Sequence, residues 1–127
     1  MTLQRILYAE DEPLVQTIAK VALVKVGGFD LRICSSGAQA LEQVKAFAPQ
    51  LILLDVVMPG MDGPATLQCL RQDPATAAIP VVFLTANSDP KDIAHYISLG
   101  ALDVIAKPYN PMTLADQVRQ VWAKYQP

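Results

Sequence analysis

Short apolar runs alternate with longer segments of helical periodicity five times along the chain. The apolar runs have the length of strands, and Leu51-Ile52-Leu53-Leu54 contains no polar position at all. Such a run is typical of a central strand in a parallel sheet, because both of its faces are buried. The pattern predicts strands at residues 5–9, 29–33, 51–54, 79–84 and 102–106.

The segments between these runs space their apolar residues three and four positions apart and carry residues that begin and end helices. The first extends from Pro13 to Val26 and stops at Gly27-Gly28. Ser36 stands three residues before Gln39, which is the spacing of a capping box. Further helix starts are predicted at Asp62-Gly63-Pro64, Asp89-Pro90 and Asn110-Pro111, and helix ends at Pro49 and Gly100.

This alternation predicts an α/β domain with a five-stranded parallel sheet and right-handed crossovers. Five strands with helices on both faces correspond to the flavodoxin-like doubly wound plan, whose strand order is 2-1-3-4-5. A chain of 127 residues has the usual size of one domain, and no repeat or linker divides it. We therefore expect residues 1–127 to form a single domain, without a separate output domain in this chain.

Composition narrows the function classes. Hydrophobic residues make up 52% of the chain and charged residues 17%, which excludes a disordered chain. The net charge is −2 and the basic residues are scattered, so no direct contact with nucleic acid is expected. The apolar runs are too short to span a membrane, and no signal peptide is visible, which predicts a cytoplasmic domain without membrane contact. Cys34 and Cys69 form no metal or redox spacing and are expected to be reduced thiols.

Polar and charged residues follow four of the five predicted strands. Glu10-Asp11-Glu12 follows the first strand, Asp55 the third, Thr85 the fourth and Lys107-Pro108 the fifth. Because ligands of open α/β sheets bind outside the carboxyl ends of the strands, these side chains are expected to share one rim. Glu12 alone is interpreted as a helix-start residue, since Pro13 follows it.

The residue types on this rim suit phosphoryl transfer. Crowded carboxylates require a cation, and their hard oxygens suit Mg²⁺. A carboxylate can carry an aspartyl phosphate, while a lysine and a threonine hydroxyl can bind phosphoryl oxygens. His95 is the only histidine, so no histidine-based metal site or triad can form, and the sequence contains no phosphate-binding glycine loop.

Four segments resemble, in order and spacing, the motifs of the receiver domain of response regulators, and the resemblance covers essentially the whole chain. They are ILYAEDEP at residues 6–13, LLDVVMPGMDG at 53–63, FLTA at 83–86 and AKPY at 106–109. The resemblance implies that Asp55 is the phosphoacceptor. It also implies Mg²⁺ ligation by Asp11, Asp55 and the backbone carbonyl of Val57, with Glu10 acting through water.

The same resemblance implies that Thr85 is the switch hydroxyl and that Lys107 binds the phosphoryl group, followed by a cis Pro108. Val104 departs from the family pattern, because receivers often carry an aromatic switch residue three positions before the lysine. Tyr109 and Tyr96 are the candidates to replace it.

The function implied is that of a signalling switch. A histidine kinase or histidine phosphotransfer protein would donate the phosphoryl group, and the domain would catalyse only its own phosphorylation and slow dephosphorylation. A downstream protein would bind the face formed by the fourth helix, fifth strand and fifth helix, and the domain would be a monomer or a weak homodimer.

Two other functions remain open. An Mg²⁺-dependent phosphatase with an aspartyl intermediate would need an acid at the position of Val57. A phosphorylation-independent interaction module fits the aliphatic Val104, but the complete acidic cluster argues against it.

Overall fold

The computed structural model describes residues 2–87 and 89–125, and its centre is a five-stranded parallel sheet. The strand order is β2-β1-β3-β4-β5, which confirms the predicted doubly wound plan. The strands are β1 (Arg5–Ala9), β2 (Asp30–Cys34), β3 (Leu51–Asp55), β4 (Val81–Thr85) and β5 (Asp103–Ala106).

A helix follows each strand. The helices are α1 (Pro13–Lys20), continued by a π-helical segment (Val21–Val26), then α2 (Gly37–Phe47), α3 (Gly63–Gln72), α4 (Pro90–Ser98) and α5 (Leu114–Tyr125). Within the described residues no helix is long and apolar enough to cross a membrane.

The last helix begins later than predicted. Asn110 and Pro111 belong to a turn, in which the Asn110 side chain accepts a hydrogen bond from the backbone N–H of Met112 at 2.8 Å. The Asn110 carbonyl accepts from the backbone N–H groups of Thr113 and Leu114 at 3.1 and 3.0 Å. The predicted start at Asn110-Pro111 is therefore wrong, and α5 begins at Leu114.

The sheet separates two apolar layers, because successive side chains of a strand point to opposite faces. Ile6 and Tyr8 of β1 face the layer under α1 and α5, which contains Trp122. Leu7 faces the other layer, under α2 and α3, with Phe83. Every residue of β3 and β4 is buried, as their unbroken apolar runs predict. Cys34 and Cys69 are free thiols, as expected.

Helix α4 is the exception in this packing. None of its nine residues, all of which are described, is buried. Ile97 at its end and Leu99 just beyond it are 47% and 42% exposed. With so little apolar area removed from water, α4 is held to the sheet less firmly than its neighbours.

The cap of α2 gives a direct test of local stability. The Ser36 hydroxyl accepts from the backbone N–H of Gln39 at 3.0 Å, and the Gln39 side chain accepts from the backbone N–H of Ser35. We expect Ser36→Ala to lower the free energy of unfolding by about 1 kcal/mol, because that N–H loses its acceptor. Urea denaturation measures the change, and Ser36→Thr, which retains the hydroxyl, is the control. Equal losses in both variants would contradict this role of the cap.

Candidate functional site

The residues predicted to share one rim do meet at the carboxyl edge of the sheet. In the registers of β3, β4 and β5, Asp55 lies opposite Leu84 and Thr85 lies opposite Ala106. An open cavity of about 500 Å³ lies at this edge. Its lining includes Asp11, Glu12, Asp55, Val57, Thr85 and Lys107.

Three carboxylates form the centre of the site. Glu10, Asp11 and Asp55 each bring an oxygen to within 4.8 Å of the others. Glu10 is fully buried, Asp55 is 6% exposed and Asp11 is half-buried. The Lys107 ammonium lies 2.9 Å from Glu10 Oε1 and 3.1 Å from Asp55 Oδ2. One ammonium among three carboxylates leaves an excess of negative charge, which favours a bound cation.

Its surroundings make the ionised form of Asp55 unfavourable. Burial and the neighbouring Glu10 raise the pKa of Asp55 to about 6, although the hydrogen bond from Lys107 opposes the shift. Burial would lower the pKa of Lys107, but its bonds to Glu10 and Asp55 outweigh that effect and raise it. A cation placed beside Asp55 would therefore relieve a real electrostatic cost.

Glu10 is held by several donors. Its Oε1 accepts from the Tyr8 hydroxyl at 3.1 Å as well as from Lys107, and its Oε2 accepts from the backbone N–H of Glu12 at 3.2 Å. The Tyr8 oxygen also lies 3.5 Å from the hydroxyl of Tyr109. Burial raises the pKa of Tyr8, so its hydroxyl keeps the proton that it donates. Sequence reasoning missed Tyr8, whose position two residues before Glu10 on one strand was the available signal.

The loop after β3 is shaped by close backbone packing. A Cβ on Gly63 would lie 2.7 Å from the Asp55 carbonyl oxygen, so only glycine lets α3 begin against the end of β3. The Gly63 N–H donates to the Val56 carbonyl at 3.0 Å, and Gly60 has a φ of +75°. This loop holds Val57, a residue that is 76% exposed, on the cavity wall.

Thr85 and Lys107 reach the cavity from neighbouring strands. The Thr85 hydroxyl oxygen accepts from the backbone N–H of Asn87 at 3.0 Å and retains its own proton as a donor. The backbone N–H of Lys107 donates to the Thr85 carbonyl at 2.9 Å. The peptide bond between Lys107 and Pro108 is cis, as the resemblance implies.

The two tyrosines considered as replacements for a switch aromatic lie on opposite sides of the sheet. Tyr96 packs against the layer under α2 and α3, with its ring edge-to-face on Phe83 at 5.4 Å. Val104 packs against the same layer. Tyr109 packs against the other layer and contacts Tyr8, so Tyr109 is the one connected to the acidic cluster.

The donor set fits Mg²⁺. The available groups are carboxylate oxygens, which are the hard ligands that this ion prefers, and the open side of the cavity leaves room for the waters that it keeps. Asp11 and Asp55 would supply direct ligands from the cavity wall. The backbone of Val57 belongs to the same wall.

The strand order and the acidic cluster define a doubly wound α/β domain with a candidate cation site at the carboxyl edge of its sheet. Residues 6–119 match the family model described as the response regulator receiver domain, and the chain belongs to that family.

Relatives support this assignment. The chain is 37% identical over 116 residues to the DNA-binding response regulator MtrA of Mycolicibacterium smegmatis, a match that covers 91% of this chain and 49% of that protein. It is 38% identical over 112 residues to a protein-glutamate methylesterase/protein-glutamine glutaminase of Rhodopseudomonas palustris, covering 87% of this chain and 30% of that protein. The chain thus spans about half the length of the first of these relatives and 30% of the length of the second.

Solved structures agree. The signal receiver domain of a histidine kinase from Syntrophus aciditrophicus matches with a TM-score of 0.81 and 33% identity, over 97% of this chain and 92% of that one. The chemotaxis response regulator CheY4 of Vibrio cholerae matches with a TM-score of 0.86 over 94% of this chain and 99% of that one. At 24% identity, the second likeness shows the fold alone.

Proposed function

We propose that Asp55 accepts a phosphoryl group from a phosphohistidine, on a site that holds Mg²⁺ through Asp11, Asp55 and the Val57 carbonyl, with Glu10 acting through water. The observation that carries this proposal is the position of the Lys107 ammonium, which bridges Asp55 and the buried Glu10 at the wall of an open cavity. A nucleophilic carboxylate, a cation and a cluster of metal-binding oxygens are thus within reach of one incoming group.

In the reaction, an Asp55 oxygen forms a bond to phosphorus while the bond from phosphorus to the donor's imidazole nitrogen breaks. The electron pair of that bond stays with the histidine. Mg²⁺, when bound, neutralises the charge that gathers on the phosphoryl oxygens. Lys107 lies 3.1 Å from Asp55 Oδ2 and is placed to donate to one of those oxygens, while the Thr85 hydroxyl donates to another. No further catalytic activity is proposed, apart from slow hydrolysis of the acyl phosphate.

The new charge acts as a switch on the elements nearby. Lys107 turns from Glu10 toward the phosphoryl group, and the Thr85 hydroxyl leaves the Asn87 N–H. Helix α4 follows β4 and has no buried residue among its described positions, so it is the element that shifts most easily. Driving the domain almost fully between two states requires about 5 kcal/mol of differential stabilisation, which a few charge-assisted bonds can supply.

The proposed partners follow from this scheme. A histidine kinase or histidine phosphotransfer protein supplies the phosphoryl group, and a downstream protein binds the face of α4, β5 and α5. Helix α4 carries the exposed Ile97. Residues 1–127 act as one cytoplasmic receiver domain, as a monomer or weak homodimer, and do not contact nucleic acid themselves. The MtrA relative is named as a DNA-binding protein, and it is about twice as long as the region that this chain matches.

Intact-mass measurement after incubation with acetyl phosphate tests the proposal. We expect a single phosphoryl adduct that requires Mg²⁺ and that is absent from Asp55→Asn, which has no nucleophilic carboxylate. If no adduct forms and beryllofluoride also fails to bind, the proposed phosphoacceptor is wrong and the chain is a phosphorylation-independent interaction module. The phosphatase is not favoured, because the apolar Val57 occupies the place of its acid.

A further inference from the structure

The Tyr8 hydroxyl is a polar group in the middle of a buried apolar strand. Tyr8 lies between Leu7 and Ala9, and all three residues are 0% exposed. Because residues two apart on a strand face the same side, the ring lies on the side of the sheet that Glu10 occupies. Its hydroxyl reaches Glu10 Oε1 at 3.1 Å. A phenylalanine would bury the same ring, so the hydroxyl itself calls for an explanation.

The donors around Glu10 determine which part of its carboxylate remains free. A carboxylate offers about four acceptor positions, two on each oxygen. Among the described residues, Oε1 accepts from Tyr8 and Lys107, and Oε2 accepts from the backbone N–H of Glu12. Both positions on Oε1 are therefore taken, and the remaining one lies on Oε2. Glu10 is 0% exposed, so a water bound to a cation would reach this carboxylate only after a neighbouring side chain moves.

Tyr8 is the donor that stays when the site is used. This step rests on the proposed function, in which Lys107 leaves Glu10 for the phosphoryl group. Glu10 would then retain one side-chain donor, the Tyr8 hydroxyl, and one backbone donor on its other oxygen. The pair of donors on opposite oxygens keeps the carboxylate plane from rotating.

Tyr109 supports Tyr8 from the loop that carries Lys107. Because Tyr8 donates its proton to Glu10, the contact of 3.5 Å between the two tyrosine oxygens requires Tyr109 to be the donor. Tyr109 follows Lys107 by two residues, so one loop supplies both the ammonium on Glu10 and the donor to Tyr8. Tyr109 contacts Glu10 only through Tyr8 in this chain of hydrogen bonds.

We propose that Tyr8 is a positioning residue of the cation site, whose hydroxyl, backed by that of Tyr109, keeps the Glu10 carboxylate turned toward the cation. Tyr8 touches neither the cation nor the phosphoryl group. Its effect is exerted on the affinity for the metal, through the orientation of Glu10.

Metal binding without any phosphodonor tests this role. Mn²⁺ prefers similar oxygen ligands, and its free concentration can be followed by electron paramagnetic resonance. Tyr8→Phe is expected to raise the dissociation constant for Mn²⁺ by about fivefold to tenfold, the effect of one typical hydrogen bond. Tyr109→Phe is expected to raise it by about twofold. Tyr96→Phe, which changes a tyrosine packed on Phe83 outside the cluster, is the matched control.

The double variant tests whether Tyr109 acts on Glu10 through Tyr8, here called the relay, or whether the two tyrosines act independently. If Tyr109 acts through Tyr8, adding Tyr109→Phe to Tyr8→Phe changes the dissociation constant no further. Additive effects would overturn the relay, and an unchanged affinity in Tyr8→Phe, with the fold retained in urea denaturation, would overturn the positioning role. Failure of the wild type to bind Mn²⁺ would also overturn it. Loss of the phosphoryl adduct alone would refute only the proposed function, because this binding measurement uses no phosphodonor.

Discussion

Replacing Lys107 with methionine is expected to lower the free energy of unfolding of the metal-free protein by about 3 kcal/mol at pH 7. Lys107 contributes the one ammonium that the described part of the chain places between Glu10 and Asp55, which are 0% and 6% exposed. Methionine preserves the length and most of the apolar stem but leaves two buried carboxylates facing each other without a cation. Urea denaturation in the presence of a chelator measures the loss.

Two conditions should reduce that loss. Lowering the pH lets Asp55 take up a proton, and the pKa of Asp55, already raised to about 6, rises further when the lysine is absent. A saturating concentration of Mg²⁺ replaces the missing charge. Lys45→Met is the control, because Lys45 pairs with Asp73 at 2.8 Å on the surface and its removal is expected to cost less than about 1 kcal/mol. Similar losses in the two variants would show that the bridge of Lys107 contributes no special stability.

Sequence rules for helix capping predicted three of the helix starts correctly. The helix starts at Ser36, Asp62 and Asp89 are confirmed, since each side chain accepts a hydrogen bond from a backbone N–H in the first turn. The helix start predicted at Asn110 is wrong because an asparagine side chain can close a turn instead of capping a helix. The change from α1 to the π-helical segment at Val21 was not predicted, because six residues are little more than one turn and show no periodicity of their own.

The sequence predicted which residues lie close together at the candidate site, but not which of them bond to each other. The carboxyl ends of parallel strands meet at one edge, and this rule was enough to bring Asp11, Asp55 and Lys107 to one cavity. Which carboxylate receives the ammonium depends on side-chain rotamers, and no sequence rule indicates that Lys107 bonds to Glu10 as well as to Asp55. The position of Tyr8 two residues before Glu10 indicated that both side chains face the same side of the sheet, but not that they are hydrogen-bonded.

Asp55→Asn is expected to raise the free energy of unfolding of the metal-free protein by about 2 to 3 kcal/mol at pH 7. The pKa of Asp55 is about 6 in the folded protein and 3.8 for a free side chain, so ionising this carboxyl group favours the unfolded state. Asparagine keeps the shape and removes the charge. The carboxylate that is proposed to attack phosphorus is therefore also one that lowers stability until a cation or a phosphoryl group binds.

The stability difference between Asp55→Asn and the wild type is expected to depend on pH. The pKa of Asp55 is higher in the folded state, so the folded state holds this proton more tightly than the unfolded state does. The stability that the protonated carboxyl group contributes is fully present below pH 3.8 and is lost as the pH rises through about 6. The difference between Asp55→Asn and the wild type should therefore be small near pH 4 and largest above pH 7, in urea denaturation with a chelator. Asp30→Asn, which neutralises an exposed carboxylate of β2, should leave stability nearly unchanged at both pH values.

Added Mg²⁺ should stabilise the wild type but not Asp55→Asn, because the variant lacks one of the proposed ligands. The difference in free energy of unfolding between the two proteins at pH 7 should then become smaller. An Asp55→Asn protein no more stable than the wild type at pH 7 would mean that Lys107 already compensates the charge of Asp55, and that the site has no electrostatic need for a metal.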